Sequence, residues 1–552
     1  MRPPSSTSRR AECAVLWIAL HLPLLSLESF AATLAPELKA QPIALMDAQR
    51  ILSANPGARA LGVKPGLKRA TALALAPQLT LGLVDAARDA QTLTAVVHAA
   101  LAFTPMVAIE PARLVSTAGT AASADTVLLD VQASLRYFGG LPALLARLHA
   151  ALAPLGHRLH TASAPTALGA ALLARIHPQL HCADLAATCG ALAAAPVWLI
   201  GPGREHWEAL QGMGLRTIAD LRMLPRSGLA RRFGEAVLSE LDRATGTRPD
   251  PREPIRLAPT FDSRLELFAR ADTTEQLLHG AGVLLARLVA WLAAQHAFVR
   301  RFSLVMEHER HHRTAAQTPA TTALEIALAE PSRDAAHLLV LLRERLAQLQ
   351  LPAPTLDLRL HADDIARRAA PNSELFPTPQ TEQDGLTRLI ERLQARLGPA
   401  QVLRLETVAD HRPERASRLC VADARLRTGP AGGMAGPARS VRNTHGAPSV
   451  RATQNAPADP NAAAAAAAVR PVWLLAHPEP LTERATGPTL GGQPLQLLSG
   501  PERIESGWWD AGLAERDYFI AQLPGGALVW VYRARLPVQG AVHGWFLQGR
   551  FG

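Results

Sequence analysis

Residues 13–28 read CAVLWIALHLPLLSLE, and the reading of that run decides what kind of chain this is. Arg2, Arg9 and Arg10 precede the apolar stretch Cys13 to Leu27, and the small residues Ala31 and Ala32 follow it, which is the outline of a secretory leader. Two features favour a strand instead. His21 and Pro23 interrupt the run, and it stops short of the ~20 residues a membrane-spanning helix needs. A short, nearly continuous apolar run is the pattern of a strand buried on both faces. The run therefore opens a cytoplasmic domain, with no membrane partner expected.

Working outward from that strand, ARALGVKPGL (58–67) leads into an Ala/Leu-rich helical stretch that reaches about residue 103. DTVLLDVQASLRYFGG (125–140) carries a second buried strand at Val127 to Val131. Leu141 to Ala153 is amphipathic, and HRLHTASAPTALGAALLAR (157–175) reads as strand, turn at Pro165 and helix. Strands alternating with helices imply an α+β layer. From 196 to 250 the text is helical, and Gly212–Met213–Gly214 forms a turn between two short helices. In a helix-hairpin-helix such a glycine turn and the exposed helix N-termini let backbone N–H groups hold DNA phosphates. Residues 261–362 alternate strands (FVRRFSLVMEH, TLDLRL) with long helices, a second α+β domain.

The 552 residues suit three or four domains. With 48% hydrophobic and 19% charged residues there is material for real cores, which excludes both a single small module and a polytopic membrane protein. Lys+Arg of 57 against Asp+Glu of 47 gives +10, and Lys39, Lys64 and Lys68 are the only lysines. Arginine forks suit phosphate, so nucleic acid is the leading ligand class. Four cysteines (Cys13, Cys182, Cys189, Cys420) give neither a disulfide framework nor a CxxC pair, in keeping with a reducing compartment. Residues 426–470 are rich in Gly, Pro and Ala and read as a flexible linker. Five of the nine tryptophans follow it, in short strand-like segments.

Taken in order, these segments resemble the Y-family (UmuC/DinB-like) translesion DNA polymerases over roughly residues 14–365, on ARALGVKPGL and on Gly212 to Leu221 above all. The resemblance implies an α+β multidomain fold. It divides the chain into a disordered start (1–12), a palm and fingers-like domain (13–195), a thumb-like helix-hairpin-helix region (196–258) and a little-finger-like domain (259–365). A loop with a helical extension (366–425), the linker (426–470) and a small β-rich partner-binding module (471–552) follow.

The family's catalytic pattern is missing. Where these polymerases carry a D-x-D stretch, this chain has Ala19 and His21; where they carry S-x-D-E, it has Ser123, Asp125 and Thr126. Two-metal transfer needs carboxylates that bridge both ions. Leu24 takes the place of the aromatic gate over the sugar, and Ala167 and Ala171 stand where lysines are expected. The resemblance thus implies a non-catalytic member with no cofactor. The rival is an active polymerase that recruits Asp125, Asp130 or Glu110 to a Mg²⁺ site.

LHLPLLSLE, SLRYFGG (134–140), DHRPERAS (410–417), GPERIESGWWD (500–510) and the closing HGWFLQGRFG resemble a non-catalytic branch of that family. Membership implies an adaptor in DNA damage tolerance and induced mutagenesis, whose partners are DNA, the β sliding clamp, the RecA-like ImuA and an error-prone DnaE-type C-family polymerase. Asn372–Ser373–Glu374–Leu375–Phe376 is similar to the clamp-binding pattern Q-x-x-L-F, with Asn372 as polar head and Leu375 and Phe376 as the apolar pair. Arg226, Arg231, Arg232, Arg300 and Arg301 join Gly212 and Gly214 as candidate DNA contacts. Trp508, Trp509, Trp545 and Phe546 are candidate partner anchors, and the acids around them argue against DNA as the tail's ligand. His308, His311 and His312 read as a solvated strand end rather than a metal site, and Asp363–Asp364 as a loop boundary.

Overall fold

In the computed structural model the opening apolar run divides at Pro23: Trp17–His21 is a strand, and a helix over Leu25–Ala31 follows. The run is therefore strand and helix, not one strand, because proline has no N–H with which to continue the ladder. The structure describes residues 15–112, 124–200, 204–309, 319–367, 379–422, 470–485, 487–510, 512–535 and 544–551. Of the expectations above, the N-terminal segment 1–12, Ser123, His311, His312, the pentapeptide 372–376 and nearly all of the linker fall outside these residues.

Strand Trp17–His21 lies inside a four-stranded antiparallel sheet, between Thr126–Asp130 and His160–Ala164, with Val107–Ile109 at one edge. Its alternate residues feed two cores. Trp17 and Ala19 pack with Leu128, Ala162 and the helix Ala167–Ile176. Ile18 and Leu20 pack with Val127, Leu129 and the helices Ala86–Leu101 and Leu141–Leu152. Burial on both faces is why the sequence there is continuously apolar rather than alternating.

The stretch read as helical up to residue 103 holds more than helix. Ile43–Asp47, Arg50–Ala54 and Thr80–Leu83 form a separate three-stranded sheet, joined by the helices Pro56–Ala60 and Arg69–Leu75. Each strand has only four or five residues, too few to print a periodicity. In the last of them a Cβ at Gly82 would sit 2.6 Å from the Phe30 ring, so only glycine lets that strand lie against the helix Leu25–Ala31.

Helices Arg204–Gly212, Ile218–Arg222, Arg226–Phe233 and Glu235–Thr245 follow, packed through Leu210, Leu221, Phe233 and Leu241 onto the first core. Next comes a four-stranded antiparallel sheet in the order Thr321–Ser332, Ala297–His308, Thr355–Arg367, Phe261–Ala271. Helices Thr274–Ala294 and Ala335–Leu346 cover one of its faces. Asp363 and Asp364 lie inside the strand Thr355–Arg367, so the loop expected there is absent, and Asp364 pairs with Arg301 at 3.5 Å. His308 is likewise no solvated strand end: it is buried, with Nε2 2.7 Å from the Thr322 hydroxyl.

Helix Thr274–Ala294 is long and apolar enough to cross a membrane by composition, yet most of it is buried within this unit. It serves two cores. Leu284, Leu288 and Trp291 fill the core under the second sheet, while Ala290 packs into the core of the first domain. Arg287, 4% exposed, ties the two by donating to Gln91 at 3.3 Å and to Ser263 at 3.1 Å. A further helix, Pro379–Leu397, docks through Glu391, whose carboxylate takes the Ala329 N–H at 2.5 Å and sits 2.9 Å from His337.

Residues 397–552 form a second unit. Within it a hairpin of Leu403–Thr407 and Ser417–Val421 precedes the linker, and a seven-stranded sheet follows it. Arg412 in the hairpin loop donates to Asp510 through both terminal nitrogens, each at 2.8 Å. The hairpin thus belongs with the tail module, whereas the sequence partition sets the two apart at residue 425.

Candidate functional site

The place that the resemblance assigns to a catalytic centre is the end of the first sheet, where strand register sets His21 opposite both Thr126 and His160. Ala19, two residues back, is fully buried. Asp125 is the one acid of the expected set at this point, and it is engaged. Arg175, from the last turn of helix Ala167–Ile176, grips it with Nη2–Oδ1 at 2.5 Å and Nη1–Oδ2 at 3.2 Å. The same guanidinium reaches the Thr126 hydroxyl at 3.3 Å, and the His21 Nδ1 is 3.2 Å from that hydroxyl and 3.6 Å from Asp125. Burial works against charge on Asp125, but His21, Arg175 and Thr126 overcome it and bring its pKa down to about 2.

Two-metal chemistry asks for several carboxylates converging on one spot. Here the donors are one carboxylate and two imidazoles, and a guanidinium holds both carboxylate oxygens. No group of three or more His, Cys, Asp or Glu suited to a metal ion occurs among the described residues. The residues present do not fit a Mg²⁺ pair. The acids available to the rival reading are also committed. Glu110 meets Arg252 at 2.6 Å with both side chains nearly buried, and Asp130 accepts the Gln132 N–H at 3.1 Å. Ala167 and Ala171 are fully buried, so neither position faces a triphosphate, while Arg175 one turn later reaches the site. Nothing in the local sequence of Arg175 marked it; helix facing alone brings it to Asp125. A cavity of about 590 Å³ lies elsewhere, against helix Thr274–Ala294, with a mixed lining that includes Glu28, Lys39 and Arg343.

The glycine turn does not offer the amides expected of it. Met213, Gly214 and Leu215 donate to carbonyls of the preceding helix, and Ile218 donates to Ala195. Arg216 and Thr217 donate to Asp220 Oδ2 at 3.0 and 2.8 Å, and the Asp220 carboxyl is held below its ordinary range by those two backbone bonds, Thr217 first. With every N–H from 213 to 218 spent inside the chain, Gly212 and Gly214 have no free donor of this kind for a phosphate.

Among the arginines, Arg226 forms a fork with Asp242 at 2.9 and 2.6 Å, and Arg301 is shared between Glu325 at 3.4 Å and Asp364. Arg231, Arg232 and Arg300 are exposed, and no carboxylate of the described residues lies within ion-pair distance of them. The basic thumb face therefore rests on Arg231 and Arg232.

In the tail the two aromatic pairs part company. Trp545 is core: it is buried, its ring packs 5.1 Å from Phe519, and its N–H points to Glu483 at 3.3 Å. Phe546 stacks on Tyr532. Trp508 and Trp509 are 81% and 55% exposed and meet edge to face at 5.4 Å. Arg412 lies over the Trp509 ring while it holds Asp510, Asp410 and the Gly512 carbonyl.

The sequence profile of the impB/mucB/samB family (IMS) matches residues 26–175. The chain is 29% identical over 513 residues to Protein ImuB of Caulobacter vibrioides (strain NA1000 / CB15N), covering 89% of this chain and all of that protein, and the same figures hold for the ATCC 19089 strain. Among solved structures, a Dbh ternary complex gives a TM-score of 0.35 at 17% identity, covering 63% of this chain and 99% of that one. The crystal structure of DinB from Sulfolobus solfataricus gives 0.34 at 16%, with the same coverage.

Proposed function

We propose that this chain, an ImuB-like homologue of the Y-family polymerases, is a non-catalytic adaptor that binds DNA and the β sliding clamp in damage tolerance and brings an error-prone polymerase to the template. The observation that carries the reading is the Arg175–Asp125 pair, in which an internal cation already neutralises the acid that a metal would need. An arginine cannot be deprotonated or displaced as a hydrated ion can, so the pair acts as structure rather than chemistry.

The exposed Arg231 and Arg232, without carboxylate partners, support DNA-backbone binding by the thumb. Asn372, Leu375 and Phe376 remain the clamp-binding candidate. Trp508 and Trp509, held outward by the Arg412 network, support a protein-docking role for the tail, with the RecA-like ImuA and a DnaE-type C-family polymerase as partners. The adaptor acts in the cytoplasm.

Primer extension with Mg²⁺ or Mn²⁺, run beside a DNA-binding assay and an Asp125→Ala control, tests the first half. Salt-sensitive DNA binding without extension is expected; extension that vanishes in Asp125→Ala sinks the reading. Clamp pull-down with Leu375→Ala/Phe376→Ala tests the second half, and retention at native level removes the motif.

A further inference from the structure

Helices Leu25–Ala31 and Ala86–Leu101 of the first domain meet helices Thr274–Ala294 and Ala335–Leu346 of the second around the cavity of about 590 Å³. Its volume lies within the ~300–1,000 Å³ of small-molecule sites, and a seam between domains is where such sites concentrate. None of its lining residues belongs to the Asp125 cluster or to the thumb. Ala95, Leu278, Val283 and Leu339 supply apolar wall. Gly282 keeps the space open, since a Cβ there would meet nothing within 4 Å.

The charges in the lining are unbalanced. Arg287 is buried, and its guanidinium donates only to neutral oxygens, those of Gln91, Thr92, Ser263 and the Arg264 carbonyl. Burial alone shifts its pKa, and no acid pulls the other way. An uncompensated buried cation is costly unless a counter-charge reaches it. Lys39 and Arg343, both exposed, form no ion pair among the described residues either. The His279 Nε2 is buried and has no hydrogen-bond partner. Burial, and after it the charge of Lys39, lowers the His279 pKa against the pull of Glu37, which keeps that ring neutral. Of the two acids in the lining, Glu28 is taken by the Arg158 N–H at 3.0 Å and by His157 at 3.4 Å, and Glu275 is exposed. Three cations without carboxylate partners thus line one space with a single uncommitted acid.

We propose that this cavity binds a small organic phosphate, a monoester whose negative charge is met by Lys39, Arg287 and Arg343 and whose body lies on the apolar wall. Charge decides the class: a cationic ligand meets three like charges, and a neutral one leaves Arg287 uncompensated. A phosphate supplies the counter-charge together with several acceptor oxygens, which suit a guanidinium fork and an ammonium alike. The His279 Nε2 offers the occupant one further hydrogen bond. Lys39 comes from the first domain and Arg287 and Arg343 from the second, so an occupant ties the two domains together.

The test titrates the full chain with glycerol 3-phosphate, glucose 6-phosphate and adenosine monophosphate, each beside its dephosphorylated counterpart, by calorimetry and thermal unfolding. At least one ester is expected to bind about tenfold more tightly than its counterpart and to raise the unfolding temperature. Lys39→Ala/Arg343→Ala is expected to weaken that ester about tenfold. Gly282→Met fills the cavity, leaves every charge in place and is expected to abolish binding. Should one variant misfold by circular dichroism, the other decides. Affinity unchanged in a folded variant overturns the proposal, as does the failure of every ester to exceed its counterpart. So does inorganic phosphate that binds as tightly as the esters, the mark of an adventitious ion only, or full displacement of the ester by a short DNA duplex. Neither variant is expected to change DNA or clamp binding, which separates failure of this proposal from failure of the adaptor reading.

Discussion

The Arg175 guanidinium and the Asp125 carboxylate face each other as two parallel hydrogen bonds, with their side chains 11% and 28% exposed. Removing one partner of such a pair strands the other in a poorly hydrated place. Arg175→Ala is expected to lower stability by about 3 kcal/mol in urea unfolding, with much of that loss regained in Arg175→Ala/Asp125→Ala. A single variant within experimental error of the native chain would mean that the pair is ornamental.

Asp125 also sets an acid limit. Its folded pKa of about 2 lies below the ordinary 3.8, so the stability it contributes is complete above about pH 4 and is lost as pH falls toward 2. The expected contribution is about 2 kcal/mol, read as the difference in acid unfolding between native chain and Asp125→Asn.

Asp357 acts with the opposite sign. Burial, with Glu307 and Glu266 adding to it against the pull of Arg264, raises its pKa to about 6. Its folded form therefore binds a proton more readily than the unfolded chain, and stability falls as pH rises from about 4 to 6. Asp357→Asn is expected to abolish that slope and to be the more stable protein at neutral pH, by about 2 kcal/mol. A variant less stable at every pH would contradict it.

Arg287 is the latch between helix Thr274–Ala294 and helix Ala86–Leu101, through Gln91 and Thr92. Burial brings its pKa down to about 10, a mark of how little water reaches it. Arg287→Met keeps the apolar stem and removes the donors, so the core is expected to survive while the contact between the two helices loosens. Limited proteolysis of the connector at 247–260 is expected to accelerate several-fold; an unchanged cleavage rate would leave the latch without a role.

Arg412 needs a planar fork, because it serves Asp410, Asp510 and the Gly512 carbonyl together. Arg412→Lys is therefore expected to behave like Arg412→Ala: Trp508 and Trp509 lose their fixed posture, seen as a fall in tryptophan anisotropy and in partner capture. Full rescue by lysine would show that charge alone suffices.

Some of this was legible in the letters. The nearly continuous apolar run that covers Trp17–Leu20 prescribes a strand buried on both faces, since a chain with one wet face must alternate. The order of strands and helices after it, and the absence of carboxylates at Ala19 and His21, follow from residue identity alone. The three short strands before residue 84 did not show, because four or five residues carry too little pattern.

What the tertiary structure decided are the partnerships. Arg175 lies fifty positions from Asp125 and Arg412 ninety-eight from Asp510, so no local spacing connects them. The glycine turn resembles a phosphate cradle until Asp220 is seen to occupy its amides. Glu266, Glu307 and Asp357 are ordinary acids in three separate segments, and only strand register assembles them into one row. Sequence sets which faces must be buried, because burial follows composition and period; which charge meets which is set by register and helix facing, and these exist only once the chain has folded.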